Sequence, residues 1–193
     1  MKCALHVHTI MSDGSMTVSR ALSIYREKGF GCVAITDHDF MVPADYRETI
    51  KTADSLGMVL IDGVELEHAP WRYHHVLELK GGNESFHAIC HPGAYGLSVE
   101  EVKTRIADPP FPIDAIEITY RGILTSQYDV PEIPVPKIAT DDAHDVSDCG
   151  RAWIEMDDTR DPGSILRAVK AGEFENVFTA EPDNRGKPPM GFF

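Results

Sequence analysis

Leu5-His6-Val7-His8-Thr9, followed by Ser12-Asp13-Gly14 and then by Ile35-Thr36-Asp37-His38-Asp39, is the stretch on which the reading of this chain turns. Two histidines one residue apart point to the same face of a strand, because side chains alternate with period two. On that face they can grip one metal ion from two directions, at about 2.0–2.1 Å per nitrogen for zinc. A single His-x-His carries little weight, since surface strands hold such pairs by chance. Its weight here comes from further imidazoles and carboxylates placed at the ends of later strands.

Those strands are read at Cys3–His8, Gly31–Thr36, Met58–Glu65, His75–Leu79, Ala88–Cys90, Ala115–Thr119 and Lys137–Thr140, with Ala152–Met156 as an extra or edge piece. Between them, Val18, Ala21, Leu22 and Tyr25 share one helical face, and Gly29 stands where the helix stops. Pro43 fits the first turn of a second helix, with Tyr46, Ile50 and Ala53 on one side and Gly57 as its stop. Ser98-Val99-Glu100-Glu101 is a capping box that opens a third helix, turning Val99, Val102 and Ile106 inward. Ser164 to Ala171, closed by Gly172, is a fourth. This alternation predicts a mostly parallel sheet, open or closed into a barrel. The connections Lys80–Phe86 and Arg121–Pro136 are too short or too rich in proline for full helices. An eightfold barrel usually takes about 250 residues, so an irregular seven-stranded one suits 193 residues better. Residues 1–180 read as a single domain, and 181–193 as an extended or disordered tail.

The bulk composition is that of a soluble globular protein, with 42% hydrophobic and 25% charged residues and no membrane span. Met1-Lys2-Cys3-Ala4-Leu5-His6 reaches a histidine before a signal-length apolar run can form, so a cytoplasmic protein is expected. Cys3, Cys32, Cys90 and Cys149 are widely spaced with no C-x-x-C pair, which favours small buried thiols over disulfides. A net charge of −13 counts against a nucleic-acid binder. It does not count against a phosphorylated substrate, because bound metal neutralises carboxylates and supplies local positive charge.

Placed on the strands, the polar residues fall into a pattern. His6 and His8 lie on the first, Asp13 in the loop after it, and His38 just past the second. Glu65 ends the third and His75 opens the fourth. His91 follows the fifth, and Asp142 and His144 follow the seventh. Loops after the strands of a parallel α/β fold share one rim, where active sites sit. Six histidines and three carboxylates exceed the needs of one tetrahedral ion and suit two or three ions sharing a bridging carboxylate. Imidazole mixed with carboxylate suits zinc, manganese or iron, and a closed structural zinc site is disfavoured without cysteine ligands.

The ordered combination L-H-V-H-T-x-x-S-D-G, T-D-H-D, G-V-E-L, H-P-G and D-A-H resembles the PHP (polymerase and histidinol phosphatase) family. The resemblance runs from about His6 to His144, and the region of Gly172 matches the closing helix. It implies a distorted seven-stranded, TIM-like (β/α) barrel and a metal-dependent phosphoesterase. One metal would take His6, His8, Glu65 and Asp142, a second Glu65, His75 and His91, and a third Asp13, His38 and His144. Two departures stand out: Ala4 where an acidic residue often stands, and Asp141 in place of a serine. No long insertion separates His75 from His91, so the cap of some members is missing and an open cleft is expected. His74 and His75 face opposite ways; the family pattern selects His75. His68 and His87 are expected at the surface or core edge, and Glu67 in solvent past its strand.

The expected activity is hydrolysis of a small phosphomonoester by metal-activated hydroxide at a di- or trinuclear site. Arg121 is a candidate phosphate clamp or a rim salt bridge, and Asp141 a candidate proton donor to the leaving group. Three alternatives stay open. A phosphodiesterase or oligonucleotide exonuclease would use the same residues. An amidohydrolase commonly bridges its metals with a modified lysine, where Glu65 stands here, and a non-catalytic metal-binding module would lack a substrate pocket.

Overall fold

The structure is a computed structural model that describes residues 1–39, 46–71 and 74–179. Pro43 and the tail 181–193 lie outside the described residues. The chain begins with β1 (Lys2–Ala4), α1 (Val18–Glu27), β2 (Phe30–Ile35), α2 (Tyr46–Ser55) and β3 (Val59–Trp71). It continues through β4 (His74–Gly81), β5 (Glu84–Ile89), α3 (Val99–Ala107) and β6 (Ala115–Glu117). A small hairpin of β7 (Thr119–Tyr120) and β8 (Ile123–Leu124) precedes β9 (Lys137–Ile138), β10 (Ala152–Glu155), α4 (Pro162–Ala171) and β11 (Glu175–Phe178). No helix among the described residues is long and apolar enough to cross a membrane.

Nine strands form one sheet in the order β11-β10-β1-β2-β3-β4-β5-β6-β9. Its two ends approach each other, so the sheet is a nearly closed barrel. Past β9 the chain reaches Ala143, which bridges Val7 in parallel, with His8 N donating to Ala143 O at 2.9 Å. The edge strands are also joined by Asn176 of β11, whose Nδ2 donates to Lys137 O at 2.8 Å and whose Oδ1 accepts from Ala139 N at 2.7 Å. One face of the sheet supplies the interior: Cys3, Cys32, Ala34, Ile61, Leu77, Leu79, Phe86, Ala88 and Ile138 alternate along their strands into a single buried cluster. The other face packs on helices, with Ala4, Val33 and Ile35 against α1 residues Ala21, Leu22 and Tyr25. Val76, Ile89 and Ile116 pack with Val102 of α3.

The sheet is mixed rather than mostly parallel. β1, β2 and β3 are parallel, as are β5, β6 and β9, but β3, β4 and β5 form an antiparallel meander. The short Gly81–Gly82 turn dictates this, because a parallel return needs a crossover of about a dozen residues. The reversal also explains His75: the start of an antiparallel strand lies at the rim where the parallel strands end. The opposite end of β4, at Gly81, abuts Pro162 and Gly163, so α4 closes the far mouth of the barrel. That helix has Asp161 as its N-cap and Gly172 at φ 73° as its stop.

Three further differences from the sequence reading have local causes. β1 stops at Ala4, because residues 6–8 bond partly to Thr36 and partly to Ala143 instead of one neighbour. β3 continues through Glu67, which is half-buried rather than in solvent. On α2, Thr49 and Ala53 are buried among the described side chains, while Ile50 is exposed; the Tyr46 side chain lies outside them. The Ser98–Glu101 capping box forms as expected.

Candidate metal centre

Val7 is held in the outer layer by Thr36 and Ala143, which turns His6 and His8 over the mouth of the barrel. The loop after them is shaped by Asp37. Its carboxylate accepts from Thr9 N at 2.7 Å, Thr9 Oγ1 at 2.7 Å and Ser12 Oγ at 2.6 Å. Gly14 completes the turn, where a Cβ would lie 2.7 Å from the backbone of His8 and Thr9. Asp13 is thereby presented to His8 Nδ1 at 3.3 Å, His144 Nε2 at 3.2 Å and His38 Nε2 at 3.7 Å.

Glu65 stands at the centre, 1% exposed. Its Oε2 lies 2.9 Å from His8 Nε2, 3.2 Å from His6 Nε2 and 3.5 Å from His38 Nδ1. Its Oε1 lies 2.8 Å from His75 Nδ1 and 3.1 Å from His91 Nε2. One carboxylate thus faces five imidazoles, three on one oxygen and two on the other, which is the arrangement of a bridging ligand. Asp142 completes the set, with Oδ1 at 3.4 Å from His6 Nε2, 3.5 Å from His8 Nε2 and 3.6 Å from His144 Nδ1. All nine sequence-predicted ligands therefore converge on one cleft.

These residues fit divalent cations. Donors about 2.1 Å from a tetrahedral ion stand about 3.4 Å apart, which is the spacing found around Asp142. Asp142 Oδ1 is buried with no hydrogen-bond partner although three imidazoles surround it, a costly state unless a cation binds there. The Nε2 atoms of His6 and His8 face each other at 3.0 Å, so a proton or a metal must separate their lone pairs. Three non-glycine residues have positive φ among those described: His91 at 23°, Arg121 at 51° and Asp142 at 46°. All three line the cleft, whose volume is about 330 Å³. Such backbone costs on the order of 1–3 kcal/mol per residue and clusters at functional sites.

The electrostatics follow from the packing. Burial opposes protonation of His6, but Glu117, Glu65 and Asp142 outweigh it and raise its pKa well above the usual imidazole value. Burial also opposes protonation of His8, and hydrogen bonds to Asp13 and Glu65 raise its pKa to about 9. Hydrogen bonds from His144, His38 and His8 hold the Asp13 carboxyl far below the usual range. Burial would raise Glu65, yet the charge of His6 and bonds from His6, His75 and His8 depress it. Imidazoles raised toward their charged forms around carboxylates held in theirs make a network in which cations can replace protons.

Three supporting residues escaped the sequence reading. Glu117 is fully buried; its Oε1 lies 2.7 Å from His6 Nδ1 and accepts from Thr140 Oγ1, while Oε2 accepts from His91 N at 2.8 Å. It fixes the tautomer that leaves His6 Nε2 for metal. A sole carboxylate in the otherwise apolar strand around Ala115–Ile118 was the available signal. Asp37 and Asp148 are the others.

Of the two candidate catalytic residues, Arg121 lines the cleft and also forms an ion pair, its Nη2 lying 3.0 Å from Asp148 Oδ2. Of the two sequence readings, the rim salt bridge is present, and the same guanidinium stands beside the cleft. Asp148, 2% exposed, also pairs with Arg151 Nη1 at 2.6 Å and accepts from His144 N at 3.1 Å. Asp141 is placed otherwise than expected of a proton donor. Its Oδ2 accepts from Tyr25 Oη at 2.7 Å and from Gly150 N at 2.5 Å, tying the loop to α1 instead of facing the cleft. Burial pushes its pKa up to about 7. His75 takes the site position, while His74 meets Arg105 Nη2 at 2.8 Å. His68 is exposed, and His87 packs on Phe111 at the core edge.

Comparison with known proteins agrees with this geometry. A two-domain protein of Bacteroides vulgatus ATCC 8482, containing a predicted PHP-like metal-dependent phosphoesterase, superposes with TM-score 0.73 at 17% identity, over 92% of this chain and 64% of that one. This chain thus spans less than two thirds of that protein. A candidate metal-dependent phosphoesterase of Bifidobacterium adolescentis ATCC 15703 gives TM-score 0.63 at 14% identity, over 88% of this chain and 96% of that one. An amidohydrolase of Chromobacterium violaceum, solved with sulfate and no metal, gives 0.68 at 14% identity, over 94% and 99%. These likenesses are of fold. A search of curated protein sequences finds no match. The model of the PHP domain matches residues 4–129, about two thirds of the chain and seven of the nine ligand positions, so the chain belongs to the PHP domain family.

Proposed function

We propose that the chain hydrolyses small phosphomonoesters, using two or three divalent ions (zinc, manganese or iron) held by His6, His8, Asp13, His38, Glu65, His75, His91, Asp142 and His144. The observation that carries this reading is the Glu65 carboxylate, shared between imidazole sets on its two oxygens beneath an open cleft. Divalent ions in such a site neutralise phosphoryl oxygens and lower the pKa of water near pH ~7.

The chain's own residues do the rest. Glu117 holds His6, and the backbone carbonyl of Asp142 accepts from His144 Nδ1 at 2.9 Å, so each ring presents Nε2 inward. Arg121 reaches the rim with a guanidinium that can bind two non-bridging phosphoryl oxygens side by side. Its partner Asp148 keeps it at that rim. Among the described residues lining the cleft, Arg121 is the sole lysine or arginine. One such clamp suits a terminal phosphate; tracking a nucleic-acid backbone takes a basic groove, which a chain of net charge −13 with this lining does not supply.

The test is phosphate release from a panel of phosphomonoesters with added Mn²⁺, beside scission of a short single-stranded oligonucleotide. Monoester turnover without scission is expected. Scission without monoester turnover would replace this reading with a phosphodiesterase.

A further inference from the structure

The thiol of Cys90 lies against the floor of the metal centre. Cys90 follows the last residue of β5, is fully buried, and points with Ala88 into the barrel interior. The next residue, His91, has φ 23°, which swings its ring over the same spot toward Glu65. The result is a compact set: donor atoms of His6, Glu65, Cys90 and His91 all lie within 4.8 Å of one another. The thiol makes a long hydrogen bond of 3.9 Å to Ala88 O, within its own strand, and its side-chain partner among the described residues is Glu65. Among the described residues, Cys3, Cys32 and Cys149 belong to no such group.

A buried cysteine beside a site is by itself ordinary core packing. The independent sign of a cation is Asp142 Oδ1, on a residue only 3% exposed, which has no hydrogen-bond partner and faces the same His6 Nε2 at 3.4 Å. His91 Nδ1 is likewise buried without a partner.

We propose that the Cys90 thiolate is a ligand, joining His6, Glu65 and His91 around one ion at the floor of the centre. The thiol proton leaves to solvent as the sulfur–metal bond forms. This rests on the metal-centre reading above and changes the kind of metal it implies. Thiolate favours zinc, cobalt, cadmium or ferrous iron, whereas carboxylate, carbonyl and water suit magnesium and manganese. The floor position then selects a thiophilic ion, and manganese is confined to the outer positions around Asp13.

The experiment is Co²⁺ titration of chelator-treated protein, with the metal alone as probe. Visible ligand-field bands together with a near-ultraviolet sulfur-to-cobalt charge-transfer band are expected in the wild type. In Cys90→Ser the ligand-field bands should persist, the charge-transfer band should vanish, and the preference for zinc over manganese in competition should fall at least tenfold. X-ray absorption of the zinc-loaded wild type should show one sulfur scatterer at about 2.3 Å; this measurement decides alone if the variant does not fold. Ligand-field bands without charge transfer, or charge transfer that survives Cys90→Ser, would overturn the assignment and leave the metal centre standing. No cobalt bands at all would overturn both.

Discussion

Glu117 and Asp148 show how little of a site is made by the residues that face it. Neither carboxylate points into the cleft, yet one orients His6 and supports His91, and the other restrains Arg121 and the backbone of His144. At the centre itself, His8→Ala or Asp142→Ala should cut kcat/KM by at least about 100-fold. Circular dichroism should stay native; full turnover under limiting metal would refute the ligand assignment. Asp148→Asn makes a subtler prediction, because it frees a partly exposed Arg121 without removing it. KM for a phosphomonoester should rise roughly fivefold with kcat nearly unchanged, a split that marks lost substrate binding. An equal fall in both kcat and kcat/KM would instead assign Asp148 to the metal loop. The convergence of the candidate ligands was legible because their spacing at strand ends is a local pattern. The supports were not, since a lone Glu in an apolar strand and an Asp six residues after Asp142 have meaning only once distant chain segments meet. Asp141 misled the sequence reading for a related reason: adjacency to a ligand says nothing about direction, and the αL backbone of Asp142 sends the two carboxylates apart.

Among the elements, α1, α3 and α4 were readable from their caps and stop glycines, and β2 from its apolar run; β5 was read only at Ala88–Cys90, because residues 84–87 lack an apolar run and become strand through their ladder with β4. β7, β8 and β11 escaped because they are short and exist only through pairing. Proline-rich sequence around β7 and β8 hides a two-residue ladder, and Glu175–Phe178 has no intrinsic strand pattern beyond its bond to β10. The last of these matters to the barrel, because Asn176 ties β11 to β9 across the seam. Asn176→Ala removes two side-chain hydrogen bonds and leaves Ala139 N and Lys137 O without that partner. A loss of about 2–3 kcal/mol is expected, which for a chain of this size lowers Tm by roughly 4–12 °C. A shift under 1 °C in thermal unfolding would show that the Val7–Ala143 bridge closes the seam unaided. The α2 face shows a limit of helical periodicity: Ile50 fits the apolar stripe by spacing but lies at its exposed edge, and Thr49 is buried in its stead.

For the whole molecule, the nine candidate ligands come from strands and strand-end loops between residues 6 and 144, so ions bound there would tie together almost every parallel strand at one mouth of the barrel. Metal at 100 times its dissociation constant should stabilise the fold by about 2.7 kcal/mol per site, raising Tm by roughly 5–11 °C. Differential scanning calorimetry with zinc or manganese, and reversal by a chelator, checks this; an unchanged Tm would count against a preformed centre. The closed mouth at α4 and the open one at the candidate metal centre give the molecule a structural end and a chemical end. The place of β1 in the sheet adds a constraint of order in time. This first strand is flanked by β2 on one side and by β10 on the other, with Lys2 opposite Glu155, and its extension waits for Ala143. A chain made from its N-terminus at about 5–20 residues per second therefore carries an unfinished edge for several seconds of synthesis. His6 and His8, the first ligands made, become part of a complete site only after His144 emerges. A ribosome stalled before residue 142 would hold a half-built barrel without the Asp142 and His144 that complete the candidate centre.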